Sequence, residues 1–221
     1  PVEQIILRFL RFTFFLILVS VTLSAQTTRK YSNEFLNIGV DAAAFGMGNA
    51  VTALSNDVNS GYWNPAGLSS LKGTGVLFMI QPWVVDINTL FAAGAVTIPR
   101  IGTVGLGLTQ VGYGEMDVTT LEYQDGTGEK FTANDLAFSF SYSRRIVSWF
   151  AFGANMKMIQ SNIWHASAKA FALDLGVLVN THFFSVTKEK ADGMVIGMSI
   201  SNYGTRMKYD GIDLYQPIDI S

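Results

Sequence analysis

Asp135-Leu136-Ala137-Phe138-Ser139-Phe140-Ser141-Tyr142-Ser143-Arg144 alternates large apolar and small residues almost without a break. A period of two belongs to an extended strand, whose successive side chains point to opposite faces. One face carries Leu136, Phe138, Phe140 and Tyr142; the other carries Ala137, Ser139, Ser141 and Ser143. A soluble sandwich turns its large apolar residues inward and covers the other face with charged or long polar side chains. Here the second face is small and nearly uncharged. It suits an interior where something packs closely, and it leaves the large apolar face for lipid. Unpaired backbone groups are costly in hydrocarbon, so such a sheet must close into a barrel.

The same alternation recurs on both sides of this stretch. In residues 102–109, Val104, Leu106 and Leu108 oppose Thr103, Gly105, Gly107 and Thr109. In residues 150–158, Phe150, Phe152, Met156 and Met158 oppose Ala151, Gly153, Asn155 and Lys157. In residues 168–179, Phe171, Leu173, Leu175, Val177 and Val179 oppose Ala168, Ala170, Ala172, Asp174 and Gly176. In residues 194–202, Met194, Ile196, Met198 and Ile200 oppose Val195, Gly197, Ser199 and Ser201. Residues 74–81 and 90–98 read as strands with weaker alternation. Lys157 and Asp174 are the charges on the small face. Lengths of about nine to eleven residues fit a tilted membrane crossing. The fold class expected is all-β, a transmembrane antiparallel barrel. A soluble β-sandwich or lipocalin-like barrel is the competing reading.

Bulk properties agree with a membrane barrel. Charged residues make up 14% of the chain, against about 25% in a typical soluble domain. Mean hydropathy is +0.29, yet no interior run reaches the roughly 18 apolar residues of a spanning helix. There are no cysteines, which excludes disulfides, thiolate chemistry and a lipoprotein acyl anchor. A net charge of −2 without a Lys/Arg cluster argues against nucleic acid. At the start, Arg8 and Arg11 precede an apolar run to Ala25, followed by Gln26. This is the order of a secretory signal peptide, with cleavage expected after Ala25; an N-terminal membrane anchor is the alternative.

Connections alternate in length, as in outer-membrane barrels. Pro99-Arg100 and residues 144–148 are tight turns, placed on the periplasmic side. Residues 112–134 form a long acidic loop with Glu115, Asp117, Glu122, Asp125 and Glu129, placed outside with residues 82–89 and 161–167. The link over residues 180–193 falls on the periplasmic side, though it is long and charged for that side. Trp83, Tyr113, Trp149, Trp164 and Tyr203 stand at strand ends, where barrels carry aromatic girdles. Seven strands are an odd count for a bacterial single-chain barrel. The chain starts at Pro1 and closes on Ile218-Asp219-Ile220-Ser221 without a terminal aromatic. An N-terminal fragment with about seven strands is therefore expected.

Residues 35–71 stand apart from the strands. They are rich in Gly and Ala, and their densest part is Tyr62-Trp63-Asn64-Pro65-Ala66-Gly67-Leu68. Asn-Pro before Ala-Gly is turn chemistry, but two aromatics and Leu68 give it more apolar mass than a surface turn needs. The small face of the strands supplies a surface for it. On this reading the segment folds inside as a plug, and Asn64-Pro65 bends it where it joins the first strand. The domain division is then signal peptide over 1–25, plug or lumen segment over 26–73, and the first half of the barrel over 74–221.

This stretch resembles the N-terminal motif of the PorV/PorQ family of outer-membrane barrels of the Bacteroidota, which are similar in fold to FadL-like fatty-acid transporters. The resemblance rests on Phe35-Leu36-Asn37-Ile38-Gly39-Val40-Asp41-Ala42, Gly46-Met47-Gly48, Ser55-Asn56-Asp57 and the Tyr62 to Leu68 run. It departs at Ala43 and Ala44, where the family often carries Arg. It implies a plugged barrel of about 14 strands that sits in outer-membrane lipid and works beside the type IX secretion translocon or its cargo proteins. A FadL-like channel for a hydrophobic small molecule is the alternative function, with Leu77, Met79 and Phe91 as pocket linings.

Candidate chemistry is sparse. His165 and His182 stand alone, and neither a Ser-His-Asp order nor metal-ligand spacing can be assembled. No catalytic residue, metal or cofactor is expected, and the protein reads as a non-enzyme. Gly46-Met47-Gly48 and Gly105-Leu106-Gly107 lack the strand and helix context of a dinucleotide site and read as close-packing glycines. Gly126-Thr127-Gly128-Glu129-Lys130 sits in an acidic loop that repels phosphate. Gly46, Met47, Gly48, Asp57, Tyr62, Trp63, Asn64, Pro65, Ala66 and Gly67 are the structural motif residues expected to matter. Lys157 and Asp174 are expected to pair inside, with each other or with the plug, since an unpaired inner charge is costly; lining a path is the alternative.

Overall fold

The computed structural model describes residues 34–54, 57–187 and 193–211. The signal-peptide and cleavage readings lie outside these residues, as do Ser55, Asn56 and residues 188–192 of the 180–193 link. Seven strands pair antiparallel in chain order: β1 Thr74–Pro82, β2 Asn88–Ile98, β3 Gly102–Asp117, β4 Lys130–Val147, β5 Phe150–Ile163, β6 Ala166–Asn180 and β7 Val195–Gly204. A short β8, Tyr209–Asp210, pairs with β6 beyond the end of β7. The described sheet is all-antiparallel and open. No described helix is long and apolar enough to cross a membrane, which says nothing about crossing by strands.

Register places every alternating residue on the face its period implies. One inner row runs Gly75, Ala95, Gly105, Ser141, Asn155, Asp174 across β1 to β6. The next rung on the same face runs Thr97, Thr103, Ser143, Gly153, Gly176, Ser199 across β2 to β7. The outer face carries Val76, Phe78, Leu106, Phe138, Phe140, Met156, Phe171, Met198 and Ile200, all exposed. So continuous an apolar surface is far larger than a soluble monomer tolerates.

Two departures from strict alternation have local causes. The long loop expected over residues 112–134 is mostly sheet, because β3 and β4 continue as a ribbon past a bulge between Gly112 and Glu115. Lys130 and Glu115 pair there at 3.3 Å, both exposed. Polar ribbon residues carry no apolar alternation, so the pattern hides the pairing; only residues 118–129 lie between the strands. The second departure is in β7. Leu173 pairs with Tyr203 while Leu175 pairs with Ile200, so Ser201 and Asn202 together face Asp174. Asn202 takes the left-handed conformation, φ 57°, which Asn tolerates better than most residues. This bulge brings the Asn202 side chain inward and sends Tyr203 out.

Candidate functional site

The N-terminal segment lies on the inner face as four short turns. A 3₁₀ turn spans Glu34–Asn37, helix α1 spans Ala42–Gly46, helix α2 spans Ser60–Trp63, and a second 3₁₀ turn spans Pro65–Ser70. Local chemistry starts each one. Asp41 accepts from the Ala43 amide at 3.1 Å and caps α1. Asp57 accepts from the Asn59 amide at 2.9 Å before α2. Asn64 accepts from the Ala66 amide at 3.1 Å, with Pro65 at the first position of the turn, where a missing amide is harmless.

Asn64-Pro65-Ala66 rests on a glycine floor. A Cβ at Gly153 would collide with the Pro65 carbonyl and the Ala66 amide, and one at Gly176 with the Asn64 side chain and with Pro65. Glycine is required at both positions because one backbone crosses another there. Asn64 Nδ2 donates to the Thr52 carbonyl at 2.8 Å and to the Val177 carbonyl at 3.2 Å. Ser143 Oγ donates to the Ala66 carbonyl at 3.1 Å. Leu68 is 1% exposed and packs with Val58 and Ala95. The bend at Asn64-Pro65 does not itself join the first strand, contrary to expectation. The second 3₁₀ turn and Leu71, Lys72 and Gly73 intervene, and Thr97 Oγ1 ties down the Leu71 carbonyl at 2.8 Å.

Tyr62 and Trp63 hold the segment to itself. The Tyr62 hydroxyl lies 2.6 Å from both the Leu36 and Ile38 carbonyls, and can donate to one at a time. Trp63 Nε1 donates to the Val40 carbonyl at 3.2 Å. The Tyr62 ring meets Trp63 and Phe91 edge-on, with centroids 5.2 and 5.8 Å apart. Burial pushes its phenol pKa up, and the negative charge of Asp174 adds to the shift.

Beneath Tyr62 lies the charged centre. Lys157 Nζ is 2.7 Å from Asp174 Oδ2, and the two side chains are 5% and 1% exposed. Lys157 also donates to Asn202 Oδ1 at 2.8 Å and stands 5.6 Å from the Tyr62 ring centroid. Asp174 accepts further from Asn155 Nδ2 at 2.9 Å and from the Asn202 amide at 2.7 Å. Asn155 Nδ2 also reaches the Gly61 carbonyl of α2 at 3.1 Å, and its Oδ1 accepts from Ser141. A buried ion pair is tolerated only when further hydrogen bonds support it; here Asp174 accepts from Lys157, Asn155 and the Asn202 amide, and Lys157 donates to Asp174 and Asn202. The two charges pair with each other, and Asn155, which bonds Asp174, also holds the Gly61 carbonyl of the N-terminal segment. Asn155 and Asn202 were not singled out from sequence. Asn155 was legible as a polar residue on the small face, whereas Asn202 depends on a bulge that alternation does not announce.

The glycine triplets divide. Gly105 is close-packed, with Leu68 Cδ1 3.5 Å from where its Cβ would stand, and a Cβ at Gly107 would lie 2.5 Å from Ser139 Oγ. Gly46 and Gly48 are not close-packed, since nothing lies within 4 Å of either position. Gly48 instead supplies the positive φ of 63° that follows α1. Met47 is exposed. Leu77, Met79 and Phe91 all face the N-terminal segment: Leu77 packs beside Val58 and Leu68, Met79 Sδ accepts from the Asp41 amide, and Phe91 meets Tyr62. The space bordered by Phe91, Tyr62 and Lys157 measures about 20 Å³. That is room for about one water, so it gives a hydrophobic ligand no site. His165 stacks on Trp164 and His182 lies beside Phe183. Among the described residues no group of three or more His, Cys, Asp or Glu could hold a metal.

An apolar outer face and a small-residue inner face that carries the N-terminal segment make this open antiparallel sheet the kind of wall from which a β-barrel is built. A family model described as type IX secretion system protein PorV matches residues 23–220, and the chain belongs to that family. No curated protein matches the chain.

Proposed function

We propose that this protein is a non-enzymatic outer-membrane component of type IX secretion that works by holding a protein partner, either the translocon or its cargo. The family match over residues 23–220 carries this reading. The covered inner face supports it: Asn64, Pro65 and Leu68 pack against the small-residue face, and Asn155, bonded to Asp174, holds the Gly61 carbonyl of the same segment. Partner recognition then falls to the barrel's rims and loops, where β3 and β4 project an acidic ribbon. The proposed orientation puts that ribbon outside the cell and the tight turns in the periplasm. FadL-like uptake of a hydrophobic molecule draws no support from the inner space beside Phe91 and Tyr62, which has room for about one water. In-cell crosslinking of the protein, in a strain carrying the secretion system, is expected to capture secretion components. Recovery of none would overturn the reading.

A further inference from the structure

The outer face is not uniform. On β2, the outward positions between Leu90 and Val96 hold only Ala92 and Gly94. Side chains of β1 and β3 stand on either side, so the surface sinks into two adjoining depressions of about 370 and 310 Å³. They share Val76, Gly94 and Leu106, and run from Thr74, Val96 and Val104 to Phe78, Leu108 and Phe138. The groove thus follows the strands and is lined almost wholly by hydrocarbon. Its flanking backbones are about 10 Å apart, two strand spacings, before side chains narrow the gap. A helix needs about 10–12 Å with its own side chains, so the groove fits a single extended hydrocarbon chain instead.

One end of the groove is marked by charge. The Val96–Val104 pair lies one rung, about 7 Å, from Ile98 and Gly102 on the same face. Ile98 and Gly102 border a separate space of about 260 Å³ at the rim, lined by Arg100, Arg144 and Arg145 at the tight turns and by Ser69, Thr97, Thr103 and Ser143 on its inner side; Arg144 follows Tyr142 by two positions and so shares the outer face with Val104. Arg145 is held by Ser70 and the Ser148 carbonyl. Arg100 and Arg144 are exposed, and no Asp or Glu lines either space. Arginine forks match phosphate oxygens, and basic clusters at a membrane surface select anionic headgroups.

We propose that this face binds one anionic glycerophospholipid of the periplasmic leaflet, with an acyl chain along Gly94 and Ala92 and its phosphate at Arg100 and Arg144. This rests on the reading above, that the sheet spans the outer membrane with its tight turns in the periplasm. The groove gives the contact its place and the arginines give it its headgroup preference.

The test is native mass spectrometry of the full protein, purified from outer membranes in neutral detergent and titrated with phosphatidylglycerol or phosphatidylethanolamine. Retained phosphatidylglycerol, in preference to phosphatidylethanolamine and not displaced by inorganic phosphate, is the expected result. Arg100→Gln with Arg144→Gln should cut phosphatidylglycerol retention by about tenfold and remove the preference. Gly94→Leu should lower retention of both lipids. A Cβ there meets nothing nearer than the Gly75 carbonyl at 3.9 Å, so the fold has room for it. Ala92→Leu fills the same groove if Gly94→Leu assembles poorly. Equal retention of both lipids, or retention unchanged in the variants, would overturn the inference alone. Recovery of the protein in the soluble periplasm would overturn the membrane reading with it.

Discussion

Lys157→Met tests the charged centre directly. Asp174 is buried and takes hydrogen bonds from the Lys157 ammonium, the Asn155 amide and the Asn202 backbone. Removing the ammonium leaves two neutral donors facing a buried carboxylate. Breaking a buried pair from one side costs about 3–5 kcal/mol. Asn202 Oδ1 also loses its donor, which moves the expected value toward the upper end. Met keeps most of the volume beside Tyr62, so little of the loss would come from a cavity. Removing both charges, as Lys157→Met with Asp174→Leu, should recover most of the deficit, because apolar replacements of whole buried pairs are often near neutral. The non-additivity between single and double variants is thus the diagnostic quantity. Urea unfolding in lipid vesicles, followed by tryptophan emission and by gel mobility of the folded form, reads it. A single-variant loss below about 1 kcal/mol is what a solvated surface pair gives. That result would mean water reaches the pair and the N-terminal segment does not seal it.

Three further outcomes follow from the same contacts. Gly153→Ala and Gly176→Ala should each lose about 1–3 kcal/mol through overpacking and should expose residues near Asn64 to limited proteolysis, while Gly46→Ala, with open space around it, changes neither. The Tyr62 phenol holds its proton more tightly when folded, so stability should fall as pH rises above the ordinary tyrosine value of 10.0, because only the unfolded chain ionises there. Tyr62→Phe should weaken the fold at neutral pH and flatten that alkaline decline; an unchanged pH profile would refute the assignment. Asn202→Ala should lose about 1–3 kcal/mol from the unpaired Lys157 donor and the left-handed backbone, with Asn202→Gly recovering only the backbone share in the same urea titration.

Much of the wall was legible because membrane strands answer to a period of two on both faces. The run from Leu136 to Ser143 already assigns inside and outside, and its neighbours pair with it in the expected register. The charged centre was half legible. Lys157 and Asp174 stand out against Gly, Ala and Ser, but their meeting depends on a two-residue offset between β5 and β6 that only register supplies. Asn202 escaped notice because a bulge reverses the alternation at that point. The ribbon beyond Gly112 escaped because polar cross-strand pairs leave no hydropathy trace. Glycine is ambiguous in a different way. Gly46 and Gly153 look alike in sequence, yet one borders open space and the other lies under a crossing backbone.

The glycine floor also constrains the order of folding. Asn64 precedes β1, but its seat is built from β5 and β6, with its contact to Val177 spanning 113 positions along the chain. That seat does not exist until the later strands have paired. Loop-closure entropy makes such distant contacts slow to form. The residues synthesised before the first strand are therefore among the last to reach their native place. Until then Tyr62, Trp63 and Leu68 remain uncovered apolar surface in transit, and the assembling wall stands unfilled. Docking of the segment is a checkpoint on the wall itself, since it reports that β5 and β6 have found their register.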